Sequence, residues 1–155
     1  FSCTGSQSVD VKGQVQSWDL VQLVQRDVHE FKTTSKPWHI ISSPIDSKVY
    51  VVLSGTEGES DSAGLACLSY SDSGVLSLDW EATESTTGYS FDTLHGVTVS
   101  ADGSRIYVSS RGDGSVYVFN SSGVLLETIV NVGTMMGGGG MSMGTLAGIA
   151  VTQVQ

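Results

Sequence analysis

The stretch that decides the fold is Leu94-His95-Gly96-Val97-Thr98-Val99-Ser100-Ala101-Asp102-Gly103-Ser104-Arg105-Ile106-Tyr107-Val108-Ser109. Two short runs of small and β-branched residues flank the tetrapeptide Ala101-Asp102-Gly103-Ser104. Gly103 can adopt the positive φ that tight hairpin turns require, and β-branched residues favour strands. The stretch therefore predicts two antiparallel strands joined by a hairpin turn.

Two more strands are predicted directly after this hairpin. The turn sequences Arg111-Gly112-Asp113-Gly114 and Ser121-Ser122-Gly123 delimit two apolar runs, 115–120 and 124–130. Gly, Asp and Ser are the residues that turns favour, and short apolar runs between them are typical of strands. Residues 94–131 therefore predict a meander of four sequential antiparallel strands.

The start of this unit recurs on both sides of it. Similar segments begin at Pro37-Trp38-His39-Ile40 and at Leu146-Ala147-Gly148-Ile149, so that His39, His95 and Ala147 fall at intervals of 56 and 52 residues. A four-stranded meander that repeats at this interval is typical of a β-propeller blade. We expect a second full meander at about 37–80.

The sequence thus predicts an all-β fold of about two full propeller blades with parts of two more. Strands at 20–26 and 28–33 would end a preceding blade, and 146–154 would begin the next. We expect residues 1–19 to form an N-terminal spacer or irregular segment, and 20–155 a partial propeller repeat domain. Because a closed propeller takes at least four blades, further blades or a protein partner would complete the ring.

Alternating apolar positions in the second unit are predicted to be buried between blades, since they must face a neighbouring sheet. These positions are Val97, Val99, Ile106, Val108, Val116 and Val118.

The second unit resembles the YVTN-type β-propeller repeat of bacterial and archaeal surface and periplasmic proteins. The likeness lies in 95–103, 106–110 and 114–119, and the first unit shares it through 37–40 and 49–52. The first unit departs from the pattern at Ile45, where that repeat usually has Asp before Gly. The resemblance implies an extracytoplasmic protein, located in the periplasm, at the cell surface or secreted.

Three functions are compatible with such a repeat. One is a binding or scaffold module for protein or surface interactions. The alternatives are a copper-binding metalloprotein and a propeller enzyme of the lactonase or dehydrogenase type. We assign no catalytic residue from the sequence, which favours a binding protein over an enzyme.

Charge and hydropathy argue against other classes. The net charge is −9 with only 7 Lys and Arg, whereas nucleic-acid binding needs clustered cations. The sequence contains no run of about 18 apolar residues, so it predicts no membrane-spanning helix. The start Phe1-Ser2-Cys3, followed by a Ser/Gly/Gln-rich spacer, is typical of the tail of a bacterial lipoprotein signal. A lipid anchor at Cys3 is therefore the one membrane contact we expect.

A ligand site is predicted near the start of the first strands. In the family that the repeat resembles, the first strand lines the central channel, so Trp38, His39, His95 and Arg111 would lie at one channel mouth. Equivalent imidazoles can converge on a ligand or a metal. The alternative is that this histidine bonds the backbone of a neighbouring blade.

A methionine-rich segment follows the second unit, and it contains all 4 methionines of the chain. They are Met135, Met136, Met141 and Met143, on either side of a run of four glycines at 137–140. Thioethers select Cu(I), and His95 could add a nitrogen ligand if the segment reaches the channel mouth. The alternatives are a flexible loop whose methionines cover apolar surface and a loop that binds a partner.

Copper binding by this segment predicts that Cu(I) is retained against a competing chelator by the reduced protein. Changing Met141→Leu and Met143→Leu together keeps the apolar bulk but removes two soft ligands, so Cu(I) affinity should fall. A titration in which the double variant binds copper as the original chain does would eliminate both residues as ligands.

Overall fold

Eleven strands lie in the part of the chain that the computed structural model describes, which is residues 1–4, 11–32, 34–130, 132 and 148–151. The strands are β1 Ser2–Thr4, β2 Gln14–Asp19, β3 Val24–Glu30, β4 Pro37–Ser42, β5 Lys48–Ser54, β6 Ala63–Tyr70, β7 Leu76–Ala82, β8 Leu94–Val99, β9 Arg105–Ser110, β10 Val116–Asn120 and β11 Leu125–Ile129. One helical turn, α1 Glu84–Thr87, lies between β7 and β8. The prediction of a nearly all-β fold is confirmed.

Both predicted meanders are present. Strands β4, β5, β6 and β7 form one antiparallel sheet in that order, which we call sheet B. Strands β8 to β11 form a second, sheet C, in the same sequential order. Gly103 adopts φ 70° in the β8–β9 turn, the conformation expected of it. Within the described residues, none of the sheets closes on itself.

The N-terminal strands differ from the prediction. In place of strands at 20–26 and 28–33, the structure has β1, β2 and β3 in a three-stranded antiparallel sheet, sheet A. The described residues of 1–19, which we expected to form a spacer or an irregular segment, thus include β1 and β2. The missed signal is the alternation in Gln14-Val15-Gln16-Ser17, whose second and fourth residues are buried.

The strand predicted at 146–154 lies mostly outside the described residues. Residues 148–151 carry no strand in the structure. They pack beside β8, because a Cβ built on Gly96 would lie 3.2 Å from the Cα of Gly148 and 2.8 Å from Ser109 Oγ. A side chain at position 96 would force Ser109 or Gly148 to shift, so glycine fits this close approach best.

Sheet B is packed on both faces. Tyr50, Val52, Leu65 and Cys67 contribute to an apolar cluster that sheet C completes, which we call the B–C cluster. Alternate residues of the same strands, among them Val51, form the A–B cluster with residues of sheet A. The members of the A–B cluster are Val15, Phe31, Val49, Val51, Leu53, Ala66 and Leu68. The sheets therefore follow one another in the order A, B, C.

The burial prediction for the second unit is right in part. Val97, Ile106 and Val108 belong to the B–C cluster, whereas Val99 is only partly buried at its edge. Val116 and Val118 are buried but are not members of the B–C cluster.

Their neighbours Tyr117 and Phe119 take the positions in that cluster instead. The reason is register, since Tyr117 pairs with Val108 and Phe119 with Ile106. Paired residues share a face of the sheet, and successive residues alternate between faces.

Polar contacts join sheets A and B at the β6–β7 turn. The Ser17 hydroxyl donates to the Gly74 carbonyl, and the Asp27 carboxylate accepts a hydrogen bond from the Leu76 N–H at 2.7 Å. The Leu76 N–H, and after it the Val28 N–H, hold the pKa of Asp27 below its usual range. These bonds tie β2 and β3 to the start of β7.

No helix among the described residues has the length and apolar character needed to cross a membrane.

The B–C cluster predicts the response to a buried charge. Val108 is fully buried, so Val108→Asp places an unpaired carboxylate between the sheets and should lower the free energy of unfolding by about 3–5 kcal/mol. Denaturant unfolding of the variant measures the loss. Val124→Asp, at an exposed position in the β10–β11 turn of the same sheet, is the matched control and should change stability little. Equal stability of Val108→Asp and the original chain would contradict the placement of Val108.

Candidate functional site

The connections between strands fall at two opposite ends of the sheets. The short-turn end carries the tight connections 20–23, 43–47, 71–75, 100–104 and 121–124. The long-loop end carries 55–62, 83–93 and 111–115. Successive connections of a meander alternate between its ends, which is why 55–62 of sheet B and 111–115 of sheet C lie at the same end as 83–93, the connection between the two sheets. Long loops on a rigid scaffold are the usual place for binding residues.

Three of the residues predicted at a channel mouth are placed around the start of β4 and β8. The rings of Trp38 and His95 have centroids 5.0 Å apart, so the structure brings this pair together across sheets B and C. Trp38 is half-exposed. Arg111 is at the same end, where its N–H donates to the carbonyl of Thr93, the residue before β8, at 2.9 Å.

His39 makes the contact that the alternative interpretation expected. Its Nδ1 accepts a hydrogen bond from the Val97 N–H at 3.1 Å, which links β4 of sheet B to β8 of sheet C. A ring nitrogen that accepts carries no proton, so the bond selects the tautomer of His39 protonated on Nε2. The imidazole therefore serves first as a bridge between the two sheets.

A groove of about 780 Å³ lies at the long-loop end, and neither Trp38 nor His95 is among the residues that line it. Loop 55–62 forms one wall, and Glu84, residues 90–93 and Gly112 form the other. Five carboxylates line it: Glu57, Glu59, Asp61, Glu84 and Asp92. None of the described lining residues is Lys or Arg. The groove is accordingly a region of negative potential.

Some of these carboxylates are held by the protein itself. Asp61 accepts the Ser85 N–H at 2.7 Å, and that bond is the main reason why its pKa is lowered. Asp92 accepts the Thr93 hydroxyl at 2.8 Å. Glu57, Glu59 and Glu84 take part in none of the ion pairs found among the described residues. Those three carboxylates are available to a cationic ligand.

Metal binding finds no support in the geometry of the described residues. They include no group of three or more His, Cys, Asp or Glu side chains placed to hold an ion. The segment with Met135, Met136, Met141 and Met143 lies outside the described residues. Copper binding by that segment, with or without His95, stays a prediction from the sequence.

The tripeptide Arg111-Gly112-Asp113 is a structural turn. The Asp113 carboxylate accepts the Ser115 N–H at 3.0 Å and the Tyr117 hydroxyl. Gly112 lies directly against Asp92, whose carboxylate would clash with any Cβ at this position. Asp113 is thus engaged within its own hairpin, as its assignment to a turn predicts.

The two cysteines are in different surroundings. Cys67 is fully buried in the B–C cluster, and burial is the main cause that raises the pKa of its thiol to about 12, which makes it an unreactive core residue. Cys3 lies in β1 and packs against the A–B cluster, and burial raises its pKa as well.

The acidic groove was only partly foreseeable. Loop 55–62 is recognisable in the sequence as a solvated acidic loop. Glu84 and Asp92 stand far from it along the chain, and only the position of both connections at one end of the meanders indicates that they converge.

Comparisons with known proteins place the fold only. No family model matches the chain, and no curated protein matches it. The chain is similar to a solved structure described as a functionally unknown protein from Desulfotomaculum acetoxidans DSM 771, with 20% sequence identity and a TM-score of 0.53. The likeness covers 79% of this chain and 36% of that chain, so the matched region spans little more than a third of the solved protein.

The His39 bridge predicts a measurable contribution to stability. His39→Ala removes the acceptor of the Val97 N–H from an exposed position that solvent can reach, and should lower the free energy of unfolding by about 0.5–1.5 kcal/mol, the net value of one hydrogen bond. Equilibrium unfolding in urea gives the value. Arg105→Ala, which removes an exposed side chain from the same pair of sheets, is the control and should have a much smaller effect. A His39→Ala variant as stable as the original chain would show that the bridge contributes nothing.

Proposed function

We propose that the chain is part of a β-propeller in which sheets A, B and C are successive blades. The support is the recurrence of the same antiparallel order in sheets B and C, together with the way sheet B packs face to face against both neighbours. The YVTN-like segments of the sequence agree with this arrangement.

Three sheets are fewer than a closed propeller needs. Open sheets leave unpaired edges and uncovered faces, which proteins normally avoid. We therefore propose that further blades, from a longer chain or from a protein partner, complete the ring. The similarity to about a third of a longer solved chain is consistent with this.

The function we propose is an extracytoplasmic binding or scaffold module for protein or surface interactions. The observation that carries it is the groove at the long-loop end, where Glu57, Glu59 and Glu84 have no ion-pair partner among the described residues. A groove of this charge selects a cationic partner, such as a lysine-rich segment of another protein.

Binding of an oligo-lysine peptide tests the groove. The original chain should bind a labelled peptide with an affinity that weakens as salt rises, because exposed charges are screened within about 10 Å at 0.1 M. The combined change Glu57→Gln, Glu59→Gln and Glu84→Gln should weaken binding at least about tenfold at low salt, since it removes three groove charges. Fluorescence anisotropy gives the affinities.

A charge-matched control separates the groove from the overall acidity of the chain. Asp46→Asn, Asp72→Asn and Glu127→Gln remove three exposed carboxylates away from the groove. This variant should bind the peptide nearly as the original chain does. An equal loss in both triple variants would mean that the peptide senses net charge alone, and would contradict the proposed site.

A further inference from the structure

The β2–β3 hairpin presents aliphatic side chains to solvent at its tip. Leu20, Val21 and Leu23 are 82%, 94% and 77% exposed. They are consecutive or nearly so on one convex turn at the short-turn end. Single exposed aliphatic residues are ordinary, but a contiguous exposed group marks a surface that is covered in use.

The backbone of this turn also indicates a use for its apolar side chains. Leu23 adopts φ 56°, in the left-handed region that a bulky residue seldom enters. Gly or Asn would take that conformation at lower cost. Strain of this kind persists where the side chain has a role, and here the side chain that causes it points away from the fold.

The polar groups at the tip are already satisfied within the hairpin. The Asp19 carboxylate accepts the N–H groups of Val21 and Gln22 at 2.9 and 3.0 Å. Arg26 forms an ion pair with Asp19 and donates to Gln22 at 3.0 Å. The charged groups and the N–H groups named here are therefore bonded within the hairpin, and the aliphatic side chains are the part of the tip that faces solvent.

Trp18 stands at the neck of the same hairpin, partly exposed. Its Nε1 donates to Gln16 Oε1 at 3.2 Å and to Ser2 Oγ at 3.3 Å, so the polar edge of the indole is bonded to sheet A. A tryptophan with a bonded polar edge below an aliphatic tip is the arrangement that membrane interfaces favour, because indole rings prefer the headgroup level.

We propose that the β2–β3 hairpin inserts its tip into the surface of an electrically neutral lipid bilayer. Leu20, Val21 and Leu23 enter the acyl boundary, and Trp18 lies at the headgroups. A neutral lipid surface fits better than an anionic lipid surface, because the chain carries net charge −9 and anionic headgroups would repel it. Neighbouring turns carry the exposed carboxylates Asp72 and Asp102, which limits insertion to this hairpin.

The proposal is independent of the groove and of the lipid anchor considered at Cys3. It assigns membrane contact to side chains of the fold itself, at the end opposite to the long loops. Its failure would leave the peptide-binding proposal untouched, because the two experiments use different probes and different variants.

The test is co-sedimentation of the 155-residue chain with phosphatidylcholine vesicles. The original chain should bind, with little dependence on salt, since aliphatic burial is not screened. The tip variant Leu20→Ser, Val21→Ser and Leu23→Asn should bind at least about tenfold more weakly, because it removes most of the apolar area. Asn is chosen at position 23 because it tolerates a positive φ.

A matched control changes as many exposed aliphatic residues elsewhere. Val124→Ser, Leu126→Ser and Val130→Ser alter the β11 region of sheet C and should leave vesicle binding unchanged. Val21→Ser alone changes a single, almost fully exposed side chain and should weaken binding while leaving thermal unfolding as it was. In a variant with Trp38→Phe and Trp80→Phe, which keeps Trp18 alone of the 3 tryptophans, vesicles of brominated lipid should quench the fluorescence of Trp18.

Four outcomes would overturn the proposal. The original chain could fail to bind neutral vesicles, or bind only anionic ones. The tip and control variants could lose binding equally. The original chain could also associate with itself without lipid while the tip variant stays monomeric, which would make the hairpin a contact between copies.

Discussion

Burial of β5 on both faces is the constraint on which the rest of the structure depends. Its central residues, Val49 to Leu53, are 0–1% exposed, and they alternate between the two apolar clusters. Each fully buried aliphatic side chain of this kind contributes about 1.5–3 kcal/mol. Because both faces of one strand must be covered, sheets A and C are held on opposite sides of sheet B, and the order of the sheets follows.

That double burial also shows what the sequence could predict. A continuous apolar run such as Val49-Tyr50-Val51-Val52 predicts a strand, and the turn residues around it delimit its neighbours. The meanders of sheets B and C were therefore readable almost strand by strand. The strands of sheet A could not be predicted in this way. Val15 and Ser17 alternate with glutamines, and only these two positions mark the buried face.

The candidate site was less readable than the fold, for a physical reason. The equivalent places of His39 and His95 in the repeat predicted that the starts of β4 and β8 would lie together, and the structure brings Trp38 and His95 into contact there. By contrast, His39 Nδ1 accepts a hydrogen bond from the Val97 N–H only because sheets B and C approach each other closely. A local sequence pattern does not predict the distance between two sheets. The convergence of Glu84 with loop 55–62 likewise depends on connections that are distant along the chain.

Gly96 has a geometric consequence for the stack of sheets. At the β8 edge of sheet C the backbone of Gly148 comes close to Gly96, whereas aromatic rings such as Phe91, Tyr117 and Phe119 fill the space farther from it. A layer that is thin at one edge and thick at the other is a wedge. Wedges placed side by side turn through an angle, so we expect small residues on the first strand of a sheet to set the side towards which successive sheets curve.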